Sequence, residues 1–253
     1  NGFFILKDGN SVTDQSGNGN NFTVGGGNLT KTESSPSNVF ATLNPLATGS
    51  LATLANGNLK ATGNNASDMG TASTTLGITG GKVYWEAKIT NSVSGYPYLG
   101  IWKDFDSLAQ GTMNGGATST REMTVYIYDG STTLTRTGTN LTITAPTTND
   151  IIMFAVDKVN NKFYMGVNGT WYNSGDPTSG ATGTGSLEDL DADGVVMFGT
   201  HNYNASAIEA NFGNGYFGTT AVSSAGTNAS GNGIFEYDVP TGFTALSTKG
   251  LNL

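Results

Sequence analysis

The residues best suited to metal chemistry form an acidic loop, LEDLDADG, which ends at Gly194. It carries Asp189, Asp191 and Asp193 at alternate positions before the glycine, which is the first half of an EF-hand-type calcium loop. Carboxylate oxygens in this spacing can surround a hard cation, and the glycine permits the sharp turn. The twelfth position is Thr200 rather than Glu. Two interpretations therefore stay open: a calcium site that takes further ligands from elsewhere, or an acidic, solvated loop before a strand.

Aromatic side chains beside polar loops are suited to sugar binding, because a ring packs against the apolar face of the sugar while polar groups hydrogen-bond its hydroxyls. Side chains of this kind lie in or next to predicted loops, and we predict that the following contact a ligand: Tyr96, Tyr98, Tyr172, His201 and Tyr203. His201 is the only histidine, which excludes a metal site with two histidines. A surface or capping role is the alternative for this residue.

Glycan hydrolysis would need two carboxylates held at a defined separation. The available carboxylates show no recognisable pattern of acid and nucleophile: Glu86, Asp104, Asp106, Glu188 and Glu209. The chain has no G-x-S-x-G elbow and no P-loop. It also has no cysteine, which excludes disulfides, thiolate zinc sites and a cysteine nucleophile. We therefore predict that the protein is not an enzyme.

Strands must position these residues. Ile151–Val156 is an unbroken apolar run, rich in β-branched and aromatic residues and too short for a stable helix, which is typical of a strand buried on both faces. A turn containing Asn leads to the extended run Lys162–Val167, and Asn168 and Gly169 then turn the chain again before Trp171. This pattern predicts consecutive hairpins of an antiparallel sheet.

A further strand is predicted over Lys82–Ile89, where apolar and polar residues alternate. The alternation places Trp85 on a buried face and puts Tyr84 and Glu86 on the opposite face, which we expect to meet solvent. The predicted core residues are Trp85, Phe154, Phe163 and Phe212.

Composition limits the partners and the number of domains. The chain of 253 residues has a net charge of −8 and no basic cluster, which argues against nucleic acid, because Lys and Arg must replace the counterions of the phosphates. No segment approaches the roughly 18 apolar residues of a membrane span, so no membrane insertion is predicted. Aromatic residues and short apolar runs recur along the whole chain, which predicts a packed core and one large domain.

Several segments resemble those of one protein family. NDIIMFAVDKVNNKFYMGVNGTW at 149–171 is similar to a hairpin of SPRY-type β-sandwiches. DQSGNGNNF at 14–22, SPSNVFATLNPL at 35–46, GKVYWEAKI at 81–89 and YDVPTGFTAL at 237–246 resemble the other blocks of SPRY-like modules in bacteriophage tail fibres and virion surface proteins. The resemblance covers nearly the whole chain.

This resemblance implies an all-β fold: an antiparallel, two-sheet SPRY/concanavalin-like jelly-roll sandwich. Residues 1–13 would be an N-terminal extension or docking strand, and residues 14–253 the sandwich domain. In SPRY domains, loops at one edge of the sandwich form the partner surface. By position, these loops correspond here to residues 91–98, 103–121, 172–190 and 200–206.

The resemblance also implies a non-enzymatic virion surface protein that binds a host-surface receptor. The receptor would be a glycan or a protein, with other virion proteins as further partners. A homo-oligomer is expected, trimeric if the protein is a fibre. The alternatives are a secreted or cell-surface lectin-like adhesin or carbohydrate-binding module, a structural decoration protein and, as a third class, a glycan-degrading enzyme.

Overall fold

The computed structural model describes residues 2–5, 11–26, 34–35, 37–48, 51–64, 69–92, 96–102, 114–115 and 123–252. In chain order, the strands are β1 (Ala52–Ala55), β2 (Lys60–Gly63), β3 (Met69–Ser73), β4 (Lys82–Asn91), β5 (Pro97–Trp102), β6 (Asn114–Gly115), β7 (Val125–Tyr128), β8 (Thr133–Leu134), β9 (Leu141–Thr142), β10 (Ile151–Asp157), β11 (Lys162–Val167), β12 (Thr170–Trp171), β13 (Glu188–Asp189), β14 (Met197–Tyr203), β15 (Ala207–Asn211), β16 (Tyr216–Phe217), β17 (Thr220–Ala221) and β18 (Thr244–Ala245). Short 3-10 turns are found at Tyr172–Ser174, Pro177–Thr182 and Gly250–Asn252. None of the helices in these ranges could cross a membrane.

Two antiparallel sheets form the body of the fold. The larger sheet has the strand order β1-β2-β15-β4-β10-β11-β12, with β13 paired to β11 and β18 running parallel to β4. The smaller sheet has the order β6-β3-β14-β5-β7. Every pair along these two orders is antiparallel. The predicted all-β, antiparallel sandwich is therefore confirmed.

The core lies between the sheets and is rich in aromatic side chains. Trp85 on β4 stacks on Phe154 of β10 with ring centroids 5.1 Å apart. Phe198 reaches across from β14 and contacts Phe154 edge to face at 5.2 Å. Phe212 packs on Phe198 at 6.0 Å, and Phe163 lies beside these rings on β11. All five side chains are fully buried, and such rings supply much of the apolar area that stabilises a core.

The outer face of the larger sheet is also buried, contrary to the solvent-facing side predicted for β4. Tyr84 and Glu86 point away from the core, yet neither is exposed. The chain after β15 returns over this face, where Phe235 packs against Tyr84 with ring centroids 5.0 Å apart. Because alternation shows only which residues share a face, it does not reveal that a distant segment covers that face. We call this surface the covered face.

Glu86 ties the returning segment to the covered face. Its carboxylate accepts hydrogen bonds from the Tyr84 hydroxyl at 2.8 Å and from the backbone N–H groups of Glu236 and Tyr237 at 2.9 Å each. The Asn211 amide lies 3.4 Å away as a fourth donor. Burial raises the pKa of Glu86 to about 7, although these hydrogen bonds act in the opposite direction.

The described part of the N-terminal region contains no strand and is held by a buried carboxylate. Asp14 accepts hydrogen bonds from the backbone N–H groups of Phe4 at 2.9 Å, Ser16 at 2.8 Å and Asn20 at 2.9 Å. The Gln15 N–H in turn donates to the Phe4 carbonyl at 2.7 Å. These bonds connect residues on both sides of the predicted boundary between 13 and 14. The division into an extension and a sandwich domain stays a prediction.

Candidate functional site

The outer face of the smaller sheet differs from its inner face because side chains alternate along each strand. On β5 and β7, Leu99, Ile101, Val125 and Ile127 point inward and are fully buried. The residues between them point outward, and they include tyrosines on both strands. This outer surface, which we call the open face, is the candidate site.

Four tyrosines form a continuous row on the open face: Tyr96, Tyr98, Tyr126 and Tyr128. Tyr98 lies directly opposite Tyr128 in the β5–β7 pairing, and their ring centroids are 4.8 Å apart. Tyr98 also contacts Tyr126 at 5.6 Å, and Tyr96 packs on Tyr128 at 5.6 Å. Tyr96 is 51% exposed, and the other three are half-buried. We call this row the tyrosine strip.

The hydroxyl group of Tyr98 remains protonated near neutral pH. The pKa of Tyr98 is raised, first by burial and then by the neighbouring Tyr128, Tyr126 and Tyr96. A neutral phenol can both donate and accept a hydrogen bond. The strip therefore offers a ligand apolar ring surfaces with polar hydroxyls at their ends.

Trp102 and His201 border the strip on the open face. The Trp102 ring lies over Gly199 of β14, where an added Cβ would stand 1.6 Å from a ring carbon, so only glycine fits there. Trp102 contacts His201 edge to face, with ring centroids 5.6 Å apart. Trp102 is only 6% exposed. It thus supports the neighbouring rings instead of presenting its own face.

His201 carries no charge at neutral pH. Its Nδ1 is 2.8 Å from the Thr71 hydroxyl on β3, and burial lowers the pKa of the half-buried imidazole to about 4. His201 lies directly opposite Tyr98 in the β14–β5 pairing. A neutral imidazole with one ring nitrogen held by Thr71 keeps its second ring nitrogen for another hydrogen bond.

The structure brings four of the five predicted ligand contacts onto one face. Tyr96 and Tyr98 belong to the strip, and His201 and Tyr203 point outward from the adjacent β14, two positions apart. Tyr172 lies elsewhere: it is buried in a 3-10 turn packed on β11 of the larger sheet, and burial raises its pKa. Tyr172 is therefore not part of the site.

Tyr126 and Tyr128 were not among the predicted contacts. The predicted contacts were aromatic residues in or next to loops, whereas these two lie within a strand. Their spacing of two residues in TVYIYD puts both on one face, and this signal was present in the sequence. That β7 pairs with β5, however, is visible only in the fold.

The acidic loop does not form a calcium site in this structure. Among the described residues, no group of three or more His, Cys, Asp or Glu side chains is placed to hold a metal ion. Instead, the buried Lys158 ammonium donates to the carbonyls of Asp191, Ala192 and Gly194 at 2.5 to 3.2 Å. Asp189 pairs with Lys162 at 2.6 Å. A lysine ammonium thus binds the backbone of this loop with its own positive charge.

The predicted loops and the carboxylates considered for hydrolysis are only partly described. Asp104, Asp106 and most of the loop 103–121 lie outside the described residues. Glu86 is fully buried under the returning segment, so it cannot reach a glycan. Glu209 pairs with Lys60 at 3.3 Å.

Comparisons with known proteins add a likeness in fold. No protein-family model matches the sequence, and no curated protein matches it. Among solved structures, the chain is similar to the SPRY domain of human HERC1, with a TM-score of 0.49 and 18% identity over 66% of this chain and 96% of that chain. It is also similar to stonustoxin, with a TM-score of 0.41 and 16% identity over 68% of this chain and 27% of that chain. The TRIM65 PSpry domain is similar with a TM-score of 0.44 and 7% identity over 68% of this chain and 88% of that chain. These identities and scores are low, and the sandwich is defined by the strand pairing described above.

Proposed function

We propose that this chain is a non-enzymatic binding module that holds a host-surface glycan on the tyrosine strip, and that it does so on the surface of a bacteriophage virion. The observation that carries the proposal is the strip itself. Proteins rarely leave a contiguous aromatic surface exposed unless it binds something. Here, four adjacent rings on one sheet face remain partly exposed while the tyrosines of the other sheet are buried.

A neutral glycan suits the chemistry of this face. The rings offer apolar surface, while the hydroxyls and the neutral His201 can both donate and accept hydrogen bonds, as a sugar hydroxyl also does. The chain has a net charge of −8, which disfavours acidic glycans through long-range repulsion. A protein receptor would use the same rings, since tyrosine is common at protein interfaces, and it is the other outcome of the test.

The virion location is supported by the sequence resemblance to phage SPRY-like modules over most of the chain. We also propose that the chain forms a homo-oligomer, which would be a trimer in a fibre. A secreted or cell-surface adhesin would use the same face, so the two are distinguished by where the protein is found. Antibody labelling of purified particles and of cell envelopes separates them: label on particles supports the virion, and label on envelopes alone overturns it.

The binding proposal is tested with a glycan array probed by the wild-type chain and by Tyr98→Ala, Tyr98→Phe and Val159→Ser variants. Val159 is 66% exposed on the hairpin between β10 and β11 and serves as the control. We expect Tyr98→Ala to weaken binding by at least about tenfold, as truncation of an aromatic contact residue does. Tyr98→Phe should retain most of the affinity, and Val159→Ser all of it.

Three results would overturn parts of the proposal. If the chain binds no glycan but binds a host-surface protein, the ligand is a protein receptor and not a glycan. If Tyr98→Ala does not weaken glycan binding, the tyrosine strip is not the binding site. Release of sugar products from a bound glycan would show that the protein is an enzyme.

A further inference from the structure

A polar groove is lined by Arg136, which follows the residue that pairs with Tyr126 of the tyrosine strip. Thr135 and Tyr126 exchange backbone hydrogen bonds of 3.0 Å in both directions, so the chain after β8 extends the sheet edge beside the strip. Arg136 follows Thr135. Because neighbouring residues in extended chain point to opposite sides, Arg136 turns away from the open face. It reaches the Leu187 carbonyl at 3.5 Å, beside β13 of the larger sheet.

The groove at this edge has the size of a ligand site. Its volume is about 510 Å³, and small-molecule sites commonly measure roughly 300–1,000 Å³. The polar side chains that line it are Arg136, Thr137, Lys162, Ser186, Glu188 and Asp189. The groove therefore combines two cations, two carboxylates and two hydroxyls.

Arg136 has donors to spare. Its Nε donates to the Thr139 carbonyl at 2.8 Å, and one Nη donates to Leu187. These bonds use two of the five N–H groups of a guanidinium. On the other side of the groove, Lys162 pairs with Asp189, whose side chain is 79% exposed. Because the carboxylate partner is this exposed, the ion pair is weak, and ligand hydroxyls can replace part of its contacts.

We infer that this groove is a second subsite for an uncharged sugar, and that the ligand is an oligosaccharide that crosses the sheet edge from the tyrosine strip into the groove. The inference rests on the proposed function. Arg136 and Lys162 only donate hydrogen bonds, whereas ionised carboxylates only accept them. A sugar hydroxyl does both, so it can bridge Lys162 and Asp189. A charged ligand would meet like charges, because the two cations and two carboxylates lie side by side.

The test measures affinity against chain length for a neutral glycan identified on the array. Wild type, Arg136→Met, Thr137→Val, Tyr98→Ala and the control Lys249→Met are titrated with the monosaccharide and with progressively longer oligosaccharides. Lys249 is exposed and lies outside the groove. For wild type and Lys249→Met, we expect affinity to rise at least tenfold once the chain is long enough to leave the strip.

Arg136→Met should abolish that rise and leave the affinity for the shortest ligands unchanged. Thr137→Val should reduce the rise to a smaller extent, which keeps the test valid if Arg136→Met fails to fold. The inference is overturned if affinity does not depend on length, if both groove variants behave like wild type, or if they weaken all lengths equally. It is also overturned if a carboxylate-bearing glycan of equal length binds more tightly than the neutral one.

If the proposed function itself is wrong, the titrations give a different result from those that overturn the groove inference. In that case no length binds, or Tyr98→Ala binds every length as wild type does. If the groove inference alone fails, Tyr98→Ala still weakens binding at every length, while Arg136→Met has no effect that depends on length.

Discussion

The outer faces of the two sheets both carry tyrosines, but among the described residues only the tyrosines of the larger sheet are buried. On the larger sheet, Tyr84 and Tyr164 have at most 1% of their surface exposed. On the smaller sheet, Tyr96 is 51% exposed and Tyr98 is half-buried. The same residue type therefore belongs to the core on one side and to a candidate binding surface on the other. The difference arises because two segments pack on the larger sheet. The chain after β15 covers Tyr84, and the 3-10 turns after β12 cover Tyr164, whose hydroxyl lies 3.4 Å from that of Ser179.

The two faces also differ in electrostatics. Under the returning segment, the buried Glu86 accepts hydrogen bonds from the buried Tyr84 hydroxyl and from the backbone N–H groups of Glu236 and Tyr237. On the open face, the imidazole of His201 forms a hydrogen bond with the hydroxyl of Thr71. The covered face is thus built for stability. The open face keeps hydrogen-bonding capacity that a ligand can use.

We expect the largest loss of stability from removing the carboxylate that holds the returning segment on the covered face. Glu86→Leu leaves two backbone N–H groups and the Tyr84 hydroxyl without their acceptor, and we expect the free energy of unfolding to fall by about 3–5 kcal/mol. Glu86→Gln keeps one acceptor oxygen and should cost less. Urea denaturation measures both variants. An unfolding free energy for Glu86→Leu within error of wild type would show that Glu86 does not hold the segment.

The stability contributed by Glu86 on the covered face and that contributed by His201 on the open face should depend on pH in opposite directions. The pKa of Glu86 is raised from 4.5 to about 7, so its protonated form favours the fold below pH 4.5 and this stability is lost as the pH rises through about 7. The size of this change is about 3 kcal/mol. The pKa of His201 is lowered from 6.5 to about 4. Its contribution is present above pH 6.5 and is lost as the pH falls towards 4.

The measurement is the unfolding free energy of wild type, Glu86→Gln and His201→Gln between pH 4 and pH 8. Relative to wild type, Glu86→Gln should become less destabilising as the pH rises. His201→Gln should become less destabilising as the pH falls. Parallel pH curves for all three proteins would contradict the burial of both groups.

A smaller effect is expected where the acidic loop surrounds Lys158. Lys158→Met leaves three carbonyl groups without the ammonium that donates to them and should cost about 2 kcal/mol of stability. The matched control, Lys162→Met, removes an exposed ion pair and should cost less than about 1 kcal/mol. Calcium should leave the Tm of the wild type unchanged, because the ammonium already occupies the loop. A rise in Tm with calcium that EDTA reverses would restore the metal site.

The sequence predicted much of the fold because local patterns determine strands. The unbroken run at β10 indicated a strand buried on both faces, and all seven of its residues are buried. Alternation in β4 correctly separated Trp85 from Tyr84 but gave no sign that the chain beyond residue 212 covers the second side. Burial by a distant segment depends on tertiary packing, which no local period encodes.

The candidate site was less predictable, because strand pairing assembles it. Tyr98 and Tyr128 are 30 positions apart and become neighbours only through the β5–β7 register. The acidic loop failed as a metal predictor for a similar reason. Lys158 comes from a turn more than 30 residues earlier in the chain, and nothing in the loop itself indicates that an ammonium fills it.

The most direct test of the central claim is to observe each tyrosine separately during binding. With tyrosine rings labelled with carbon-13, NMR spectra are recorded while the glycan selected on the array is added. We predict chemical-shift changes at the four strip tyrosines, Tyr96, Tyr98, Tyr126 and Tyr128. The signals of Tyr84, which is buried on the covered face under the returning segment, should not change. Shifts at Tyr84 without shifts on the strip would contradict the account, because the binding surface would then lie on the larger sheet.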